Sequence, residues 1–200
     1  MRPARMLRPR FALSHLAVLA LGLTFAVPSH AGPREDLRAA LLRFLAQTSF
    51  QGDVQAKVGT HVLPSKVEFQ APDRFRISRE GRVTALIVGR QMYLMLHGRT
   101  IRAPMPAAVD AYRDPAMIER LEGHAPVQDL GLETVNGTRS HKYRVMPDSE
   151  SPSEVTLWIG VASGLPVQVQ TLVASPEQSI YSTIEYSHYG DPNIQIEMPH

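Results

Sequence analysis

The chain has 200 residues, 21 Lys+Arg against 19 Asp+Glu, and no cysteine, so disulfides, thiolate metal sites, a cysteine nucleophile and a lipid-modified N-terminal cysteine are all excluded. The four charges of the first 31 residues are Arg2, Arg5, Arg8 and Arg10. Without them Lys+Arg falls to 17 (21 − 4) against 19 acidic groups, a net charge of −2. The basic balance therefore belongs to the leader, and the rest has no cation excess with which to neutralise a phosphate backbone, which argues against nucleic acid as a partner.

The arginines precede the apolar run Phe11 to Val27, and Ser29-His30-Ala31 places small residues where a signal peptidase reads them. Residues 1–31 are thus expected to be a cleaved signal peptide, in preference to an uncleaved anchor, and residues 32–200 a single exported domain. A cysteine-free exported chain suits the periplasm.

Pro33 to Thr48 predicts an amphipathic helix, with Leu37, Leu41, Phe44 and Leu45 at helical spacing and Glu35 and Asp36 in the first turn, where the macrodipole favours acids. From Ser49 the period changes to two. Val54, Ala56 and Val58 alternate with polar residues up to Gly59-Thr60. In Lys66 to Ser78, Val67, Phe69 and Ala71 alternate with Glu68 and Gln70, and after Pro72-Asp73 Phe75 and Ile77 alternate with Arg74, Arg76 and Ser78. Two strands, each greasy on one face and wet on the other, meet at that proline.

Val83 to Val88, Gln91 to Leu96 and Thr100 to Ala103 continue a meander of hairpins that Pro104 and Pro106 end. Ala107 to Gly123 predicts a helical insert, with Asp114-Pro115 as its start and Met117, Ile118 and Leu121 as its stripe. Strands return at Val127 to Val135 and Thr138 to Met146, joined by Asn136-Gly137, the strongest hairpin signal in the chain. With Thr138 this dipeptide also matches a glycosylation sequon, but it reads as a turn. Glu154 to Gly160, Val167 to Val173 and Ser179 to His188 follow, then a short tail, Ile194 to Met198. The expected fold class is α+β: about 10–11 antiparallel strands with an N-terminal helix and a helical insert covering the apolar face.

F-Q-A-P-D-R-F-R-I-S followed by G-R-Q-M-Y-L, then Asp129-Leu130-Gly131, Val135-Asn136-Gly137, Leu157-Trp158-Ile159 with Gly164-Leu165-Pro166, and Tyr189-Gly190-Asp191-Pro192 occur in an order that resembles the periplasmic lipoprotein-carrier superfamily typified by LolA and LolB. The resemblance spans about Leu37 to Pro199. It implies an unclosed β-barrel plugged by helices, with acyl chains between, and therefore a carrier or chaperone for a lipid or acylated molecule. A lipid or acyl chain and an inner- or outer-membrane protein would be its partners, and the chain would be a monomer. The alternative is a periplasmic sensor or interaction module of the same fold. Members place a basic residue before the motif's proline, where it helps hold the lid closed, and this chain has Ala71 there.

No catalytic constellation competes with binding. His61, His97, His124, His141, His188 and His200 lack metal-ligand spacing, Gly160-Val161-Ala162-Ser163-Gly164 is not a nucleophile elbow, and nothing selects Glu133 with Glu185 as a carboxylate pair. No enzyme activity, metal or cofactor is expected. Met92, Met95, Met105 and Met117 point instead to an adaptable apolar pocket. The expected ligand-binding residues are Leu37, Leu41, Phe44, Val67, Phe69, Phe75, Ile77, Tyr93, Met95, Met117, Leu121 and Leu157.

Overall fold

The structure, a computed structural model, describes residues 32–105, 126–146, 153–173 and 179–198. The expected helical insert, with Met117 and Leu121, lies outside them.

Helix α1 covers Pro33–Leu45, with proline at its start and Glu35 and Asp36 in its first turn. It stops three residues before the predicted Thr48. Ala46 and Gln47 close back onto Leu42 and Phe44, and the Thr48 carbonyl accepts from the Ala71 amide at 2.8 Å, so the chain is already committed to the sheet.

The strands are β1 Ser49–Val58, β2 His61–Gln70, β3 Arg74–Arg79, β4 Arg82–Val88, β5 Gln91–Leu96, β6 Arg99–Ala103, β7 Val127–Val135, β8 Thr138–Val145, β9 Ser153–Gly160, β10 Pro166–Val173 and β11 Ile180–Ser187. They form one open antiparallel sheet in the order β6-β5-β4-β3-β2-β1-β11-β10-β9-β8-β7. Two meanders are thus joined where β11 pairs with β1, Gly52 facing Tyr186 and Val54 facing Ile184. At the β7–β8 turn Asn136 and Gly137 both take positive φ (49° and 75°), the geometry whose twist matches a two-residue hairpin.

Residues opposite one another on neighbouring strands share a face, so the register sorts every side chain. We call the face against α1 the inner face. Leu37, Ala40 and Leu41 of α1 pack there on Tyr143 and Val145 of β8 and Leu157 and Ile159 of β9. Tyr143 also donates its hydroxyl to Asp36 Oδ2 at 3.2 Å, tying the first turn of the helix to β8. Burial, and after it the Asp36 charge, raises this phenol above its ordinary value, so it stays protonated and able to donate.

The last turn of α1 places Phe44 on a second cluster with Phe50 and Phe69, and Phe75, Tyr186 and Tyr189 pack around them. The rings form a ladder: Phe44 to Phe50 4.9 Å, Phe50 to Phe69 5.0 Å and Phe69 to Phe75 5.0 Å between centroids. Phe50 and Phe69 are fully buried.

The outer face departs from expectation. Alternation predicts that it is solvated, yet the segment after Gly190 folds back over it. Gly190 donates its amide to the Ser49 carbonyl at 3.0 Å, and Ser49 donates its hydroxyl to the Asp191 carbonyl at 2.8 Å. Ile196, 1% exposed, then packs with Leu86 and Tyr93. A surface read as wet is in part a second core.

Candidate functional site

Reading across β1 to β6, one inner-face row is Phe50, Phe69, Phe75, Ile87, Met92 and Ala103, and the next is Gly52, Val67, Ile77, Ala85, Leu94 and Ile101. Neither row contains a polar side chain. The first is capped at its β1–β3 end by Phe44; in the second, Val67, Ile77 and Leu94 are only half-buried and Ile101 is 46% exposed. At Gly52 the floor is at its lowest: a Cβ there would lie 3.1 Å from Ile184 Cγ2. The row continues on β11 as Tyr186.

The structure divides the expected binding residues into four groups. Leu37, Leu41 and Leu157 are buried together and form the joint between α1 and the second meander. Phe44, Phe69 and Phe75 form the aromatic cluster, and Val67 and Ile77 continue the same face as a cross-strand pair. Met117 and Leu121 lie outside the described residues. Tyr93 and Met95 are corrected: Tyr93 pairs with Leu86, which pairs with Arg76, so both point to the outer face, where Tyr93 clusters with Leu86 and Ile196 and Met95 packs against that cluster.

The reason is that Gln91-Met92-Tyr93-Leu94-Met95-Leu96 is apolar at both phases after Gln91, so alternation gives no face. A bulge between Ile77 and Ser78 puts Ala85 opposite Ile77 on the inner face, and the two-residue turn Gly89-Arg90 carries that face on to β5. The turn sets Val88 against Gln91 and hence Ala85 against Leu94, so Met92 and Leu94 are the inward residues. The methionines expected to cluster are accordingly split, Met92 inward and Met95 outward.

The outer face holds polar structure. Arg76 pairs with Glu68 at 2.6 Å and donates to the Gln195 carbonyl, and Arg74 donates to the Ile196 carbonyl at 2.7 Å. The Glu68 hydrogen bond, outweighing burial, raises the Arg76 guanidinium further. On the second meander Trp158 donates to Glu133 at 3.0 Å, with Lys142 4.8 Å above its ring and 2.9 Å from the same carboxylate. Lys142 and then Trp158 hold Glu133 below the ordinary carboxylate range. A concavity of about 440 Å³ opens on this face beside Asp53, Gln55, Lys66, Glu68 and Glu80.

For chemistry the arrangement offers little. Glu133 on β7 and Glu185 on β11 are four strands apart, roughly 19 Å at ordinary strand spacing. Among the described residues no three His, Asp or Glu side chains are grouped to hold a metal ion. No helix among them is long and apolar enough to cross a membrane.

Neither a family model nor a curated protein matches the sequence. Solved structures do share its architecture. The crystal structure of the Mycobacterium tuberculosis lipoprotein LppX aligns with TM-score 0.61 at 16% identity, over 80% of this chain and 96% of LppX. LprF from Mycobacterium bovis aligns with TM-score 0.52 at 14% identity, over 84% of this chain and 96% of LprF. MucB aligns with TM-score 0.51 at 16% identity, over 84% of this chain and 62% of MucB. At such identities the likeness is one of fold, and it agrees with the LolA-like resemblance read from the sequence.

Proposed function

We propose that the protein is a periplasmic carrier or chaperone that holds a lipid or acylated molecule against the inner face of its sheet. Residues 1–31 direct export and are removed, and residues 32–200 act as one domain. The observation that carries the reading is the pair of wholly apolar rows across β1 to β6, of which α1 caps only one end. A face of this kind is costly to leave to water and suits an apolar ligand. Val67, Ile77, Leu94 and Ile101 would contact the chain, Phe44, Phe69 and Phe75 would form the end wall, and Leu37, Leu41 and Leu157 would anchor α1. Met117 and Leu121 remain part of the proposed lining.

Burying a sixteen-carbon chain recovers about 0.8 kcal/mol per methylene, on the order of 12 kcal/mol gross, and leaving a bilayer costs about the same. The pocket is thus near break-even with a membrane, and direction must come from a partner or from opening of the site. The fold likeness to the lipoprotein LppX supports this reading.

A second reading, a periplasmic interaction module, is favoured by the hairpin tip. Ala71 is exposed and uncharged, and the neighbouring cations Arg74 and Arg76 face outward and hold the C-terminal segment. The lid latch of lipoprotein carriers is therefore not built at this position. MucB, a fold neighbour crystallised in complex with MucA(peri), illustrates such a module. Titrating purified, delipidated protein with an environment-sensitive fluorescent fatty acid separates the two. Saturable uptake near one equivalent is expected of the carrier, and no uptake beside a stable pulled-down protein partner would favour the module.

A further inference from the structure

The C-terminal segment is bound in a way that a partner's chain can copy. Ile196 donates its amide to Gln70 Oε1 at 2.7 Å, and its carbonyl accepts from Arg74 at 2.7 Å, so both polar groups of one extended residue are read. Arg76 reads the preceding carbonyl, that of Gln195, at 3.1 Å. The Ile196 side chain packs with Leu86 and Tyr93, and Ile194, two residues earlier, is also buried. Gln70, Arg74 and Arg76 are successive outward positions of the β2–β3 hairpin, and Leu86 and Tyr93 are the outward residues that continue the Arg76 row.

We propose that this outer-face groove is a peptide-docking site that the chain fills with its own tail, and that its exchange partner is an extended segment of another protein bearing aliphatic residues two apart. The recognition is of main-chain amide and carbonyl groups plus aliphatic side chains at two alternate positions, which fixes shape and spacing but little else about sequence. Exchange is built into the attachment. Residues 194–198 belong to no strand, so the tail leaves without breaking a sheet ladder. It also starts from Gly190, at φ 69°, a backbone state glycine adopts freely. A segment held by side chains and outside any ladder opens locally at lower cost than the whole fold. The proposal concerns the face opposite the apolar rows and does not depend on lipid binding.

The test uses a fluorescein-labelled peptide of residues 191–198, Asp-Pro-Asn-Ile-Gln-Ile-Glu-Met, and full-length protein. Ile196→Ser loosens the resident tail, so this variant is expected to bind the peptide at least tenfold more tightly than wild type. Adding Arg74→Ala should remove that gain, as should replacing both isoleucines of the peptide by serine. Equal binding by wild type and a cooperatively folded Ile196→Ser variant, or binding indifferent to Arg74→Ala, overturns the proposal. Hydrogen exchange on wild type gives a second reading should Ile196→Ser not fold. The Ile196 amide is expected to exchange well before the amides of β2 and β3, and exchange only with global unfolding would overturn exchangeability. A concentration-dependent wild-type dimer abolished by Ile196→Ser would make a second copy the occupant and overturn the assignment to another protein.

Discussion

Phe69→Asp is expected to leave the protein unfolded or recovered only as aggregate, and Phe69→Ala to cost about 3–5 kcal/mol in urea melts. Phe69 is fully buried, stacks on Phe50 at 5.0 Å and meets Phe75 at 5.0 Å, and through Phe50 it carries the contact with Phe44 of α1. Truncating it opens a cavity at the joint between helix and sheet, and a carboxylate there would be buried without a partner. Domains of this size have about 5–15 kcal/mol in total, so the alanine variant alone consumes a large share. Arg74→Ala is the control on the opposite face of the same hairpin. It loses a charge-assisted bond to the Ile196 carbonyl, about 1.5–3 kcal/mol at most, because water reaches the site it vacates. Equal tolerance of Phe69→Asp and Arg74→Ala would mean that the faces have been assigned wrongly.

The second large effect concerns binding rather than folding. Leu94→Asp and Ile101→Asp put a carboxylate on the half-open row without opening a core cavity, since Leu94 is half-buried and Ile101 is 46% exposed. Both should fold, with melting curves near wild type for Ile101→Asp. A bound acyl chain, however, would strip water from the carboxylate and offer no partner, a penalty of about 3 kcal/mol or more, or over a hundredfold in affinity. Val62→Asp is the matched control. Val62 is 53% exposed and sits across from Lys57 on the outer face, so uptake should be unchanged. Loss of uptake in all three, or in none, would contradict a site on the inner row.

How much of this was legible in the sequence depended on whether a local signal fixed the phase. Phe69 and Phe75 were readable because Glu68, Gln70, Arg74 and Arg76 mark the other face, and the proline between the two runs marks the turn. Asn136-Gly137 was readable because few dipeptides accept two positive φ values. Tyr93 and Met95 were misplaced because their strand is apolar at both phases, and because the bulge between Ile77 and Ser78 sets Ile77 against Ala85 where the Glu80-Gly81 turn alone would set it against Thr84, a shift of face with no marker in the sequence.

The tail was harder. Ile194 and Ile196 alternate with polar residues as an edge strand would, but their partners are side chains more than a hundred residues away, Gln70 and Arg74. No period in a sequence encodes a contact of that kind. The split of the sheet into two meanders follows from the hairpin turns, whereas the β1–β11 pairing that joins them is equally long-range and has no local marker.

The central claim is that the two apolar rows hold a lipid or acylated molecule. Native mass spectrometry of the protein expressed from the full 200-residue sequence and purified without detergent, alongside solvent extraction of the same sample, tests it most directly. A bound mass of lipid size, absent from Ile101→Asp, is expected. A wild-type spectrum at the bare polypeptide mass, with an extract free of lipid, would contradict it.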